Sequence, residues 1–471
     1  MSERRSIGPV DTMWLNMDRP SNLMVIDSVM WFDETIDIDR LAEVVEHRLV
    51  GRYPVFSQRP VPPSNPFGMP YWEDDPDFDL RRHLRTGTLA APGDQDALQR
   101  YVENRMSVPF DRDHPLWEMT LLHGFGTGCA VVCRFHHSLA DGIALAEVLL
   151  SLTDASPSAD SEDVEPARPT SRHTGGSGIA SALQDIGEQV LRSGEEALRT
   201  GLRAVSMATD LATSRVAFDA LELGWKAGKV ADKLLLGSNP KTLFSGEPGI
   251  EKRAVWSGPR TIAEVKKVGR ITGATVNDVL VAVVSGAINI YQRDRGADPV
   301  DLTTMVPVNV RPRDLMLPRE LGNQFALVYL LLPTGVTPAL QRVAESKHRM
   351  DSIKASPEAQ MTFGLNKLIG RSEPHLEKLI VNFFSNKAIG VTTNVIGPGE
   401  PRYVAGAPIA GVVSWVPGSG KQSLGVCIFS FAGTVRVGFK ADAATLPDVE
   451  KLVHAFDEDM DQLLWIANNA R

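Results

Sequence analysis

The chain has 471 residues, 43% of them hydrophobic and 23% charged, a balance that excludes a disordered chain or a single small module and suits two large domains or three small ones. Its 49 lysines and arginines face 58 aspartates and glutamates, a formal charge of −9, the wrong sign for a protein whose main partner is a phosphate backbone, so nucleic acid is set aside. Three cysteines, Cys129, Cys133 and Cys427, match no disulfide framework and no four-ligand zinc site, which points to a reducing cytoplasm. The stretch Met1 to Pro9 is charged and no apolar block of signal-peptide length follows it. The longest uncharged stretches, Leu321 to Gln341 and Tyr403 to Gly420, are interrupted by Asn323, Gln324 and Pro333 or by Pro408 and Pro417, so strands and turns are expected there rather than a membrane span.

In chain order, Leu23 to Phe32 predicts a strand, and Ile38, Leu41, Val45 and Leu49 predict a helix behind Asp37. A second helix is expected over Gln95 to Met106. Two apolar runs, Leu116 to Leu122 and Cys129 to Phe135, flank the glycine-rich turn Gly124 to Gly128 and read as a strand pair. Ile143 to Leu152 predicts a helix. From Thr153 to Gly178 the side chains turn to Ser, Asp, Glu, Pro and Gly, the composition of a solvated linker. Beyond it Ile179, Leu183, Ile186, Val190, Leu198, Leu202 and Val205 form one helical stripe, continued towards Leu236. That stripe suits either a crossover packed on its own domains or a face for a lipid surface or partner.

After Gly237 to Pro240, helices are expected over Thr261 to Ile271, Thr275 to Tyr291, Pro338 to Ile353 and Pro447 to Ala467. Strands are expected over Leu302 to Val310, Gln324 to Leu332, Val391 to Ile396, Ile409 to Val416, Leu424 to Phe431 and Thr434 to Phe439. The outcome is an α/β protein of two mixed halves, residues 1–153 and 241–471, joined by a polar linker and helical crossover over 154–240.

One heptapeptide carries chemistry: His136-His137-Ser138-Leu139-Ala140-Asp141-Gly142, where a strand ends and a helix begins. An imidazole with an ordinary pKa near 6.5 can take the proton of an alcohol as its oxygen attacks an activated acyl carbon. A carboxylate at 141 can brace the loop, and Gly142 lets a substrate or the chain pass closely. Asp141 lies too far along the chain for a hydrogen-bonded relay to be assumed. The alternative is a structural histidine pair that caps a loop. A metal site is disfavoured because no companion cluster of ligands accompanies the motif. Ser138 lacks the glycine frame of a nucleophile elbow. Gly418 to Gln422 looks like a phosphate loop only in part, since Trp415 stands at the first glycine position and Gln422 replaces Ser or Thr, and a hairpin turn is expected instead.

With these residues the chain resembles the wax ester synthase/diacylglycerol acyltransferase family, within the wider group of CoA-dependent acyltransferases built like chloramphenicol acetyltransferase. Further matches run along nearly the whole chain: Pro9-Val10-Asp11, Asp74 to Asp79, Pro115-Leu116-Trp117, Thr275 to Val279 with Asn277-Asp278, Val306 to Arg311, Gly322-Asn323 and Thr393 to Pro398. The resemblance implies two similar α/β domains around a tunnel at their interface, with acyl-CoA and a lipid alcohol as substrates and neither cofactor nor metal. It implies His137 as general base, His136 as its support and Asp141 as a loop-structuring residue with Arg311 as its partner. Pro115, Leu116, Trp117, Asn277 and Asp278 are implied to be structural, while Gly142 and Asn394 are candidates for substrate contact. Peripheral contact with a membrane or lipid droplet would follow from such an acceptor. A peptide-condensation domain and a non-catalytic lipid-binding protein share the same loop and fold and stand as rival readings.

Overall fold

The computed structural model describes residues 4–63, 68–157, 240–309, 317–354, 382 and 385–470. Its principal elements in the first half are α1 (Pro9–Met17), β1 (Val25–Phe32), α2 (Ile38–Val45), β2 (Leu84–Thr88), α3 (Gln95–Met106), β3 (Trp117–Phe125), β4 (Gly128–His136) and α4 (Gly142–Ser151). The second half contributes β5 (Lys252–Trp256), α5 (Ile262–Thr272), α6 (Val276–Asp294), β6 (Leu302–Asn309), β7 (Phe325–Leu332), α7 (Ala339–Lys354), β8 (Thr392–Ile396), β9 (Gly411–Trp415), β10 (Leu424–Phe431), β11 (Thr434–Asp442) and α8 (Glu450–Asn469). These elements follow the sequence pattern with small shifts at their ends, because local signals set them. Asp37 accepts from Asp39 N–H and Arg40 N–H, and Asp94 accepts from Ala97 N–H, each satisfying a helix's first free donors. The predicted crossover helix of residues 179–236 lies outside the described residues.

The first sheet has the order β9-β1-β4-β3-β2. All of its pairs are antiparallel except β2 with β3. Every residue of β4 is buried, as expected of a central strand covered on both faces. The second sheet has the order β8-β10-β11-β5, and β6 pairs with β7 as a separate antiparallel ribbon.

The edge strand β9 belongs by chain position to the second half, yet it pairs with β1 from Gly411 opposite Trp31 to Trp415 opposite Asp27. Glycine is required at the first of these places, since a Cβ on Gly411 would stand 2.1 Å from Trp31 Cζ2. This corrects the hairpin expected at Gly418 to Gln422. The strand before that turn joins the first sheet and the strand after it joins the second, so the turn is a crossover between sheets.

Two apolar cores result. Leu41, Phe56, Trp117 and Phe135 anchor the first, which also takes in Ile409, Phe429 and Phe431 of the second half. Val265, Val283, Phe439 and Leu463 belong to the second. Between the sheets runs a buried chain of charges. Arg134 on β4 donates to Asp27 on β1 at 3.1 Å and to Glu118 on β3 at 2.9 Å, and Lys440 on β11 reaches Asp27 at 3.2 Å. Among the described residues no single helix is long and apolar enough to cross a membrane.

Candidate active site

His136 and His137 stand at the end of β4, and their surroundings differ completely. The backbone N–H of His136 donates to the carbonyl of Leu116 at 2.9 Å, so the Pro115-Leu116-Trp117 signature fixes where β4 stops. Trp117 is itself anchored by an Nε1–H donation to the Phe56 carbonyl at 2.8 Å and by stacking on His83. The His136 ring accepts from Ser138 N–H at 3.1 Å through Nδ1, which also lies 2.8 Å from Ser138 Oγ. Its proton therefore sits on Nε2, 3.4 Å from Asp18 Oδ2. Burial pushes the Asp18 carboxyl up, but the His136 ring, the Met24 N–H and Arg112 outweigh it and hold the group below its ordinary range. His136 is held at Nδ1 by Ser138, while Nε2 faces Asp18 without completing a hydrogen bond.

His137 has its backbone engaged and its ring stacked. Its N–H donates to the Met24 carbonyl at 2.7 Å, and its own carbonyl accepts from Asn323 Nδ2 at 2.7 Å. The ring stacks on Trp14 of α1 with centroids 4.1 Å apart and an interplanar angle of 23°, and Phe325 of β7 lies 5.6 Å away. Nδ1 is buried without a completed hydrogen bond. Burial lowers the imidazole pKa to about 4, against the upward pull of the Asp141 carboxylate, the ring's own backbone carbonyl and the Asn323 side chain. The ring is therefore neutral at pH 7, with a nitrogen able to accept a proton.

Asp141 is the N-cap of α4. One oxygen accepts from Ala144 N–H at 2.9 Å and the other from Gln324 N–H of the second half, also at 2.9 Å. Its carboxylate thus ties the loop to the opposite half as well as to its own helix. Arg311, its expected partner, lies outside the described residues. A Cβ on Gly142 would meet Ile26 Cδ1 at 3.9 Å, an ordinary contact, so packing does not itself demand glycine there.

Thr275 caps α6, and Asp278 completes a capping box by accepting from Thr275 N–H at 2.9 Å. Asn277 accepts from Asn394 Nδ2 at 2.7 Å, so that donor is already engaged, between α6 and β8.

Trp14 on α1 and Asn323 and Phe325 at the entry to β7, which touch His137, and Asp11 on α1, which holds Asn323, carried no assigned role in the sequence. Pro9-Val10-Asp11 and Gly322-Asn323 stood out only as signatures, and the sole clue to a shared place was that each pair has the spacing of one face. A cleft of about 430 Å³, counted out to solvent, opens between the halves beside Asn22, Leu23, Met106, Lys252 and Lys440. His137 is not in its wall, although Leu23 leads directly into Met24, which holds the His137 backbone.

Two mixed α/β halves clasped over this histidine loop define the chain as an acyltransferase-type fold. Solved structures share it over nearly the whole length. The wax ester synthase/diacylglycerol acyltransferase from Marinobacter aquaeolei VT8 superposes with a TM-score of 0.68 at 20% identity, over 98% of this chain and 100% of that one. The first condensation domain of the calcium-dependent antibiotic synthetase follows at 0.60 and 16%, over 99% and 98%. The family profiles described as the wax ester synthase/diacylglycerol acyltransferase catalytic domain and the WS/DGAT C-terminal domain match residues 7–280 and 321–464. The chain belongs to the wax ester synthase/diacylglycerol acyltransferase family and is an acyltransferase enzyme. A relative designated the probable diacylglycerol O-acyltransferase tgs1, of Mycobacterium tuberculosis, is 26% identical over 411 residues, 86% of this chain and 83% of that protein.

Proposed function

We propose that the enzyme transfers a long-chain acyl group from acyl-CoA to the hydroxyl of a lipid alcohol, diacylglycerol or a fatty alcohol, with His137 as general base. The observation that carries this reading is a neutral, buried imidazole at the junction of the halves, with Asp141 nearby to favour its charged form. As the acceptor oxygen bonds to the thioester carbon, its proton passes to the unstacked edge of the ring, at Nε2. The tetrahedral intermediate then collapses, the carbon–sulfur bond breaks, and the imidazolium returns its proton to the CoA thiolate. Asp141 offsets the positive charge in between. No acyl-enzyme is required, which agrees with Ser138 being bound to His136. The two substrates meet at His137 through the interface, and an acceptor this insoluble would be presented at a membrane or droplet surface. The designation of the mycobacterial relatives as diacylglycerol O-acyltransferases supports a diacylglycerol acceptor.

The test is release of free CoA from a long-chain acyl-CoA by the purified protein, run against a panel of acceptor alcohols. His137→Ala is expected to lower the rate by about 10²- to 10⁴-fold. Absence of acceptor-dependent release with every lipid alcohol tried would refute the reading, and full activity of His137→Ala would remove the base.

A further inference from the structure

We propose that Asn323 is a positioning residue for His137, held to that task by Asp11. The inference rests on His137 being the base, as argued above. Asp11 and Trp14 share one face of α1, three residues apart, and Asn323 lies in the segment that leads into β7, two residues before its first residue Phe325. The two pairs interlock around the histidine. On the aromatic side Trp14 stacks on the ring and Phe325 lies against both, 6.0 Å from Trp14. On the polar side the Asn323 backbone N–H and Nδ2 donate to Asp11 Oδ1, at 2.9 and 2.7 Å, while Nδ2 also donates to the His137 carbonyl at 2.7 Å.

An amide nitrogen has two hydrogens, and here each has an oxygen acceptor. A flipped amide would set its own oxygen against both of them, so the orientation of Asn323 is determined by its surroundings. The acceptor it holds is the carbonyl towards which His137 Nδ1 is drawn. Held in place, that carbonyl can draw the ring proton to Nδ1, to which it completes no hydrogen bond here, and leave Nε2 free to take the proton of the alcohol.

Asp11 fits this role and no evident other. It is a buried carboxylate whose short partners both come from Asn323. Its second oxygen sits in a niche where a Cβ on Gly8 or on Gly322 would come within 3.0 or 3.3 Å, which accounts for the glycine beside Asn323. Because one pair comes from each half of the chain, the base acquires its orientation only when the halves are docked.

The experiment compares wild type, Asn323→Ala and the exchange Asp11→Asn with Asn323→Asp. The exchange restores a hydrogen bond between positions 11 and 323 but leaves no amide hydrogen for the His137 carbonyl. Both variants are expected to lose about 10- to 100-fold in kcat, the scale of a mispositioned reacting group, with KM for acyl-CoA nearly unchanged. Nitrogen-15 NMR of labelled histidine should show the Nδ1–H tautomer for His137 in wild type and a mixture of tautomers in both variants. Recovery of kcat in the exchange variant would show that the link between halves is all that matters and would overturn the proposal. So would an unchanged tautomer in Asn323→Ala. If wild type releases no CoA with any acceptor, the acyl-transfer reading fails separately, and the tautomer measurement alone decides the role of Asn323.

Discussion

Two polar regions join the halves of this protein, and they are built on opposite terms. In the charge chain through Arg134 every carboxylate oxygen has a cationic partner: Asp27 takes Arg134 and Lys440, and Glu118 takes Arg134 and Arg105. Around the histidine loop, by contrast, Thr12 Oγ1, Trp14 Nε1, His136 Nε2, His137 Nδ1 and Asn323 Oδ1 are buried with no completed hydrogen bond. Buried polar atoms are ordinarily satisfied, so each of these is one that a substrate group or an ordered water could pair. The saturated region holds the halves together, while the unsaturated one keeps a histidine neutral and its neighbours available.

Breaking the saturated region should produce the largest loss of stability. Asp27→Asn leaves Lys440 and part of Arg134 buried without a counter-charge, and should cost about 3–5 kcal/mol in denaturant unfolding. A loss below about 1 kcal/mol would mean that the chain of charges is not what joins the sheets.

The next prediction sharpens the contrast through pH. The folded protein holds His137 at about 4 against an ordinary 6.5, so it binds fewer protons than the unfolded chain between these values. The stability this group contributes is present above the ordinary value and is lost as pH falls towards 4, about 3 kcal/mol in all. The cost of His137→Gln should therefore shrink by about that amount between pH 7 and pH 4. Asp11 has the opposite sign. Burial, partly offset by its bonds from Asn323, raises it from 3.8 to about 6. Its contribution is present at low pH and is lost as pH rises through 6, so Asp11→Asn should steepen the acid decline. Parallel pH curves for wild type and both variants would remove the titration argument.

A smaller effect is expected away from both regions. Trp117→Phe keeps the aromatic packing but leaves the Phe56 carbonyl without its donor, at about 1–2 kcal/mol. The His136 N–H bond to Leu116 should persist, so kcat per folded molecule should be unchanged. A fall in kcat without a fall in stability would give Trp117 a part in the reaction that its surroundings do not suggest.

Much of the fold was legible because its signals are local. Asp37, Asp94 and Thr275 start helices by bonding N–H groups two or three residues ahead, and Gln95–Met106 has the same limits in the chain pattern and in the structure. The histidine loop was legible as a strand-to-helix junction for the same reason. Pairing across the chain was not. Nothing in Gly411–Trp415 distinguishes a strand of its own sheet from one lent to the other, because a short apolar strand suits any edge that offers free N–H and C=O groups. The misread turn at Gly418 to Gln422 follows from that same loss.

The amino-acid order alone determined the α/β class, the position of most elements and the place of the histidine loop between a strand and a helix, since each depends on side chains within a few residues of one another. Only the tertiary structure decided which of two adjacent histidines faces a carboxylate and which is stacked among aromatic rings. That difference is made by Asp18 at one ring and by Trp14, Asn323 and Phe325 at the other. All four of these groups lie more than a hundred residues from the loop, and desolvation and hydrogen bonding act through space and not along the chain.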